Sequence, residues 1–270
     1  MVEQFKYVNH LSEEIQFGEA GMYVDENDIR DFAWDVISKN DKYTGFKRTT
    51  ATKKLPIRIA DEDPEIANNL RNRLFEVCEK DILAVSPGRL VLGDYYIKGY
   101  ITESATSGFE NRKTSVTSLT FETDNPFWIR EETHVFGYGS VDGDLDYKND
   151  FPYDYTSNIL GKQLVNPGFV PSNFKMTIYG QAEAPAVTVG GHIYQVNASV
   201  GDHEYLQIDS VEKTIELVKS NGETINCFGK RNRDSYIFEK IPDGISNIAL
   251  SSDFKVDITL LEERSEPKWI

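Results

Sequence analysis

Apolar and polar residues alternate with a period of two along most of this chain and take up the helical period in one place only. Between residues 63 and 78, Ile66, Ala67, Leu70, Leu74, Val77 and Cys78 fall on one stripe, behind Asp63 as N-cap and Pro64 at the first helical position. This spacing predicts one helix covering one face of a sheet. Pro87-Gly88 then marks a turn into a strand around Leu90 to Leu92. Strand alternation is read at residues 5–8, 29–36, 43–46, 95–102 and 114–121, with Asn125-Pro126-Phe127-Trp128 closing the first sheet.

From about residue 131 to 165 the apolar pattern thins. Gly137, Gly139, Gly143 and Gly161 fall there, with an acidic run at Asp142, Asp144 and Asp146. Beyond Asn166-Pro167-Gly168 short strands are predicted at 174–179, 186–189, 192–196, 205–208, 214–218, 236–238 and 254–260. Gly190-Gly191, Asp209-Ser210 and Asn221-Gly222 are turn signals between them. A dense series of short strands with such turns is the pattern of a β-sandwich. The fold class expected is mainly β, with an α+β first domain at 1–135, a linker at 136–165 and an antiparallel β-sandwich at 166–270. A length of 270 residues accommodates two domains of about 100–200 residues each.

The formal net charge of −15 works against a nucleic-acid or anionic-membrane binder, because such proteins gain affinity by setting Lys and Arg against phosphates. The segment from Met1 to Phe5 begins with no basic region or apolar run of a secretory leader, and no stretch approaches a membrane span. Cys78 and Cys227 are solitary, and Cys78 sits on the apolar helix stripe, so reduced buried thiols and synthesis in a reducing cytoplasm are expected. In that setting the sequon Asn197-Ala198-Ser199 carries little meaning.

Candidate chemistry is sparse. Asp142, Asp144 and Asp146 have the spacing that opens a calcium loop, but Tyr147 stands where the turn Gly belongs and Tyr153 where the bidentate Glu belongs. The glycines around Ser140 match neither a dinucleotide loop nor a serine elbow. His10, His134, His192 and His203 are isolated, each expected to form hydrogen bonds at the surface. No catalytic, cofactor-binding or metal-ligating residue is nominated, and no cofactor is expected. Tyr179, Tyr194, Tyr205, Phe228, Tyr236 and Phe238 fit core positions better than a platform for sugar rings.

The ordered set of short motifs resembles the distal tail proteins of long-tailed phages with Gram-positive hosts. It is carried by Phe5-x-Tyr7-x-Asn9, Ile29-Arg30-Asp31-Phe32-x-Trp34, the lone helix, Gly93-Asp94-Tyr95-Tyr96 and Phe121-x-x-x-Asn125-Pro126-Phe127-Trp128. In the second half it continues through Asn166-Pro167-Gly168, Ile178-Tyr179-Gly180, Tyr205-Leu206-x-Ile208-Asp209-Ser210, Phe238-x-x-Ile241-Pro242-x-Gly244 and Glu262-Glu263-Arg264-x-Glu266-Pro267-x-Trp269. The resemblance implies a structural, non-enzymatic virion protein of the phage tail tip. Its first domain, a β-barrel or sandwich with one helix, would close into a homo-hexameric ring, with a galectin-like sandwich outside. The implied partners are the tail tube protein, the tail-associated lysin or tail-tip protein, and receptor-binding proteins around the rim. The alternative is an adhesin in which Tyr194, Tyr205 or Tyr236 stacks on cell-wall sugars.

Overall fold

The computed structural model describes residues 4–18, 21–24, 27–137 and 163–269. The chain forms two compact units, Met1–Arg130 with Glu263–Ile270, and Glu131–Glu262.

In unit 1 the elements are β1 (Phe5–Val8), β2 (Glu14–Phe17), β3 (Met22–Val24), β4 (Asp35–Lys39), β5 (Lys42–Lys47), β6 (Ala51–Ala60), α1 (Pro64–Ala84), β7 (Gly88–Leu92), β8 (Tyr95–Asn111) and β9 (Thr114–Thr123). A further strand, β10 (Trp128–Phe136), crosses the unit boundary. Strands β2, β1, β7 and the first residues of β8 form one antiparallel run. From Tyr100 onward β8 pairs with β9, β9 with β6, and β6 with β3. Strand β8 thus serves both runs. At the changeover a Cβ on Gly99 would stand 2.3 Å from the Glu122 carbonyl oxygen, so only glycine lets the strands come this close.

Helix α1 begins as expected: the Asp63 side chain accepts from the Glu65 N–H at 2.8 Å, and Pro64 follows. It runs six residues past the predicted end at Cys78, to Ala84, where Val85 caps it in the left-handed conformation. Asp81 is the reason the stripe seemed to stop. It continues the buried face as a carboxylate, 0% exposed. Leu74, Val77 and Cys78 pack against Phe5, Tyr7, Leu55, Ile57, Leu90 and Phe121 in the unit 1 core.

Three readings of the first half need correction. Residues 29–34 are not strand: Ile29 enters the core, while the Lys53 ammonium donates to the carbonyls of Asp28 at 3.0 Å and Asp31 at 2.7 Å and holds a turn. Trp128 opens β10 instead of ending the sheet, so residues 131–136, where the apolar pattern begins to thin, are strand. Residues 263–269 pack with unit 1 and not with the sandwich, because Arg30 binds them there.

Unit 2 comprises β11 (Gln163–Asn166), β12 (Asn173–Tyr179), β13 (Ala182–Glu183), β14 (Ala186–Val189), β15 (His192–Gln195), β16 (Ser199–Val200), β17 (Tyr205–Asp209), β18 (Thr214–Val218), β19 (Thr224–Asn226), β20 (Gly244–Leu250) and β21 (Lys255–Arg264), the last crossing back toward unit 1. One sheet orders as β19-β18-β17-β12-β21 and the other as β11-β20-β14-β15. Phe174, Met176 and Ile178 of the first and Val187, Val189 and Tyr194 of the second share one core, an antiparallel sandwich. The Gly190-Gly191 hairpin forms as predicted, with Val189 opposite His192. Residues 236–238 form a turn, not a strand. Their alternation comes from Ile237 and Phe238 both entering the core while Tyr236 stays out.

Candidate assembly interface

Strands β4 and β5 form a hairpin that pairs with no other strand among the described residues. Its two-residue loop, Asn40-Asp41, has both φ angles positive, at 52° and 58°, the geometry of a tight hairpin turn. Val36, Ile37, Tyr43 and Phe46 are 44–75% exposed on it. An isolated two-stranded hairpin is marginal in water. Val36 pairs with Phe46, whose ring centroid lies 6.3 Å from that of Tyr43, an exposed apolar patch of the kind contact surfaces present, while Ile37 falls on the other face.

The hairpin is rooted in an aromatic cluster. Arg48 lies 5.0 Å from the Phe127 ring centroid and within 6 Å of Phe32 and Trp34. Its Nε and Nη1 are buried with no acceptor among the described residues, and desolvation lowers its pKa. Just upstream, the Arg30 guanidinium stacks 3.8 Å over the ring of Trp269.

The run β3–β6–β9–β8 supplies a second feature. Beyond Gly99 only β9 pairs with β8 among the described residues, so the opposite edge of β8 carries no strand there. At the far side, β3 pairs only with β6 among the described residues. The four strands alternate in direction, so β8 of one copy would meet β3 of another antiparallel, with nothing reversed.

One face of this run is polar. Leu55, Ile57, Ile59, Leu119 and Phe121 point to the core, leaving Lys54, Arg58, Ser118, Thr120 and Glu122 on the other side. There the Lys54 ammonium lies 2.6 Å from Thr120 Oγ1 and 3.4 Å from the Glu103 carboxylate. Hydrogen bonds from Thr120 and Lys54 lower the Glu103 pKa. Two cations and two carboxylates among hydroxyls leave this face close to neutral.

On the core side, between α1 and the β8–β9 pair, lies a groove of about 440 Å³ lined by Leu74, Phe75, Ile82, Ile101 and Leu119. Near it Asp81 accepts from the Tyr7 hydroxyl at 2.5 Å and the His10 backbone N–H at 2.9 Å, and His10 Nδ1 lies 2.5 Å from the same carboxylate. A Cβ on Gly88 would fall 2.4 Å from both the Tyr7 hydroxyl and the Asp81 carboxylate, so this packing requires glycine. Burial and Asp81 push the Cys78 thiol up to about 12. The constellation fastens the 9–13 turn to the helix, with Asp81 and Tyr7 buried and His10 at the surface.

No protein-family model matches the chain, and no curated protein does. Solved structures do. The chain is similar to the SPP1 Dit protein, described as a paradigm of the hub adsorption apparatus in phages infecting Gram-positive bacteria. Identity is 10% and the TM-score 0.61, over 96% of this chain and 99% of that one. It is also similar to a chain of the phage P2 baseplate in its activated conformation, solved with Ca and with Sr. There identity is 14% and the TM-score 0.63, over 99% and 100% of the two chains. The fold is that of phage tail hub proteins.

Within the hub fold, several motifs singled out in the sequence are structural staples. Asn166 is buried, donates to the carbonyls of Ile241 at 3.2 Å and Pro242 at 3.1 Å, and accepts from the Gly168 N–H at 3.1 Å, tying two loops of the sandwich together. Asp209 accepts from the N–H groups of Val211 and Glu212, and Ser210 Oγ accepts from the Phe174 N–H at 2.7 Å.

The histidines remain apart. His10 meets Asp81, His134 meets Glu132 at 3.5 Å, His192 meets the Tyr236 carbonyl at 2.9 Å, and His203 meets Asp202 at 3.4 Å. No group of three potential metal ligands occurs among the described residues. The calcium-like run at 142–146 and the glycines around Ser140 lie outside those residues.

The aromatics of the sandwich divide. Tyr194 is 0% exposed and donates to the Glu239 carbonyl, and Phe238 is buried. Tyr236 is 57% exposed, with the Lys213 ammonium 5.7 Å from its centroid. A stacking platform including Tyr194 is therefore closed off. Sequence reading found strand at 43–46 but missed that it pairs with β4 alone in a hairpin, and it missed Asp81 and Arg48. For Asp81 a signal existed, an acidic residue three positions after Cys78 on the apolar stripe.

Proposed function

We propose that this protein is the distal tail hub of a long-tailed phage, a virion component at the tail tip that acts by shape and self-association and transfers no chemical group. The observation that carries this reading is the whole-chain likeness to hub and baseplate proteins, which takes in both units.

In this reading six copies close into a ring through unit 1. The outer edge of β8 in one copy meets the β3 side of the next, and cyclic closure leaves no edge exposed. The β4–β5 hairpin covers its apolar face against the adjacent copy. Sandwich units remain available for other baseplate components. The tail tube protein binds one face of the ring and the tail-associated lysin or tail-tip protein the other, with receptor-binding proteins at the rim.

The polar face of the β3–β6–β9–β8 run lines the lumen. A near-neutral, hydroxyl-rich wall gives passing DNA no counterion-release gain, so a genome slides without being held. Negative-stain imaging of the purified protein, alone and with the tail tube protein, should show rings. Strictly monomeric mass by light scattering under both conditions would overturn the proposal. Filter binding of DNA at moderate salt tests the lumen separately, and retention would reject it.

A further inference from the structure

Two of the motifs that carry the family resemblance, at opposite ends of the chain, come together in unit 1. Arg30 belongs to the segment entering the hairpin and Trp269 to the last residues. The Arg30 guanidinium stacks 3.8 Å over the Trp269 ring, donates to the Pro267 carbonyl at 2.8 Å and lies 3.7 Å from the Glu266 carboxylate. Its side chain is only 11% exposed, although Trp269 itself is 74% exposed. The tail therefore covers the arginine more than the unit covers the tail.

The position of Arg30 gives this contact a task. Its neighbour Ile29 is anchored in the core, and Lys53 holds the Asp28 and Asp31 carbonyls from beneath. Residues 32–34 then lead directly into β4, whose side chains are all exposed. The hairpin has no strand neighbour among the described residues, so its direction is set at its root. That root is held on one side by the core and on the other by residues 266–269.

We infer that residues 266–269 act as a clasp on Arg30 that fixes where the hairpin emerges, so that assembly, but not folding of the unit, depends on those four residues. This rests on the hub reading for its consequence but not for its geometry. Arginine is required because a planar guanidinium can stack on an indole while donating in its own plane, which an ammonium cannot do.

The test uses the full chain with Trp269→Ala and Arg30→Lys, reading hydrogen exchange of amides 29–37, thermal unfolding and ring formation. Both variants should raise exchange in that segment about tenfold and sharply reduce rings, with the unfolding midpoint lowered by only about 3–5 °C, as that loss of native stability requires. Arg30→Lys keeps the charge and so separates stacking from ion pairing. Unchanged exchange would overturn the clasp, as would faster exchange spread over the whole of unit 1 with a midpoint lowered by more than about 10 °C, which marks an ordinary structural staple. Rings undiminished despite faster exchange would also overturn it. If the unaltered protein forms no rings, the hub reading fails, while the exchange result still decides the clasp.

Discussion

The two units handle their apolar residues differently. Unit 2 places its strands in two facing sheets around one core, and its recurring motifs are spent on closing loops, as Asn166 and Ser210 do. Unit 1 builds an equally buried core but leaves a hairpin with Tyr43, Phe46, Val36 and Ile37 exposed, and an edge of β8 that no strand among the described residues pairs. A fold that gains stability from burial has no reason to expose those residues on its own account. In the hub reading, the hairpin and the open β8 edge are the features that other copies finish, although unit 2 also leaves Phe169, Tyr236 and Ile245 exposed.

The comparison can be broken most severely in the sandwich. Phe174 is 0% exposed and its ring meets Tyr194 edge-on at 5.1 Å. Phe174→Ala should cost about 3–5 kcal/mol, seen by calorimetry as loss of one transition with rings retained. If that variant abolishes rings while unit 1 stays folded, unit 2 is not independent of assembly.

Gly88→Ala tests the buried Tyr7–Asp81 contact of unit 1. The added methyl meets the Tyr7 hydroxyl and the Asp81 carboxylate, an overpacking cost of roughly 1–3 kcal/mol measurable by urea unfolding. Tyr7→Phe removes one donor from a buried carboxylate and should cost about 1–3 kcal/mol.

Tyr7 also sets a pH dependence. Burial, then the hydrogen bond to Asp81, raise its pKa above the ordinary 10. The folded form favours the protonated phenol, so this contribution is complete below about pH 10 and is lost as pH rises beyond it. Alkaline unfolding curves should therefore be shallower for Tyr7→Phe than for the parent protein.

The smallest stability effects belong to the hairpin. Tyr43→Asp and Phe46→Asp, at positions 75% and 59% exposed, should each change stability by no more than about 0.5 kcal/mol yet abolish rings. A large loss of stability would mean the hairpin is part of the core after all. Cys78 adds a silent control: its thiol is 6% exposed and pushed up to about 12, so it should resist alkylation at neutral pH in the folded protein.

The helix start, the Gly190-Gly191 and Asn221-Gly222 hairpins, most strands of the sandwich and the absence of a basic surplus follow from sequence alone, because each depends on neighbours a few residues apart. Alternation misled at 29–34 and 236–238, since a turn pinned by Lys53, or one with two successive core residues, has the same local pattern as a strand. The extent of α1 was hidden because a buried Asp81 looks polar until Tyr7 and His10 are brought to it across the fold. The C-terminal residues read as the end of the sandwich, and only tertiary contact with Arg30 assigns them to unit 1. Sequence thus determined the elements and the class of fold, because periodicity and turn chemistry are local. Tertiary structure decided which apolar side chains stay uncovered and which strand edges stay open, because burial is a property of distant partners, and those two features carry the proposed assembly.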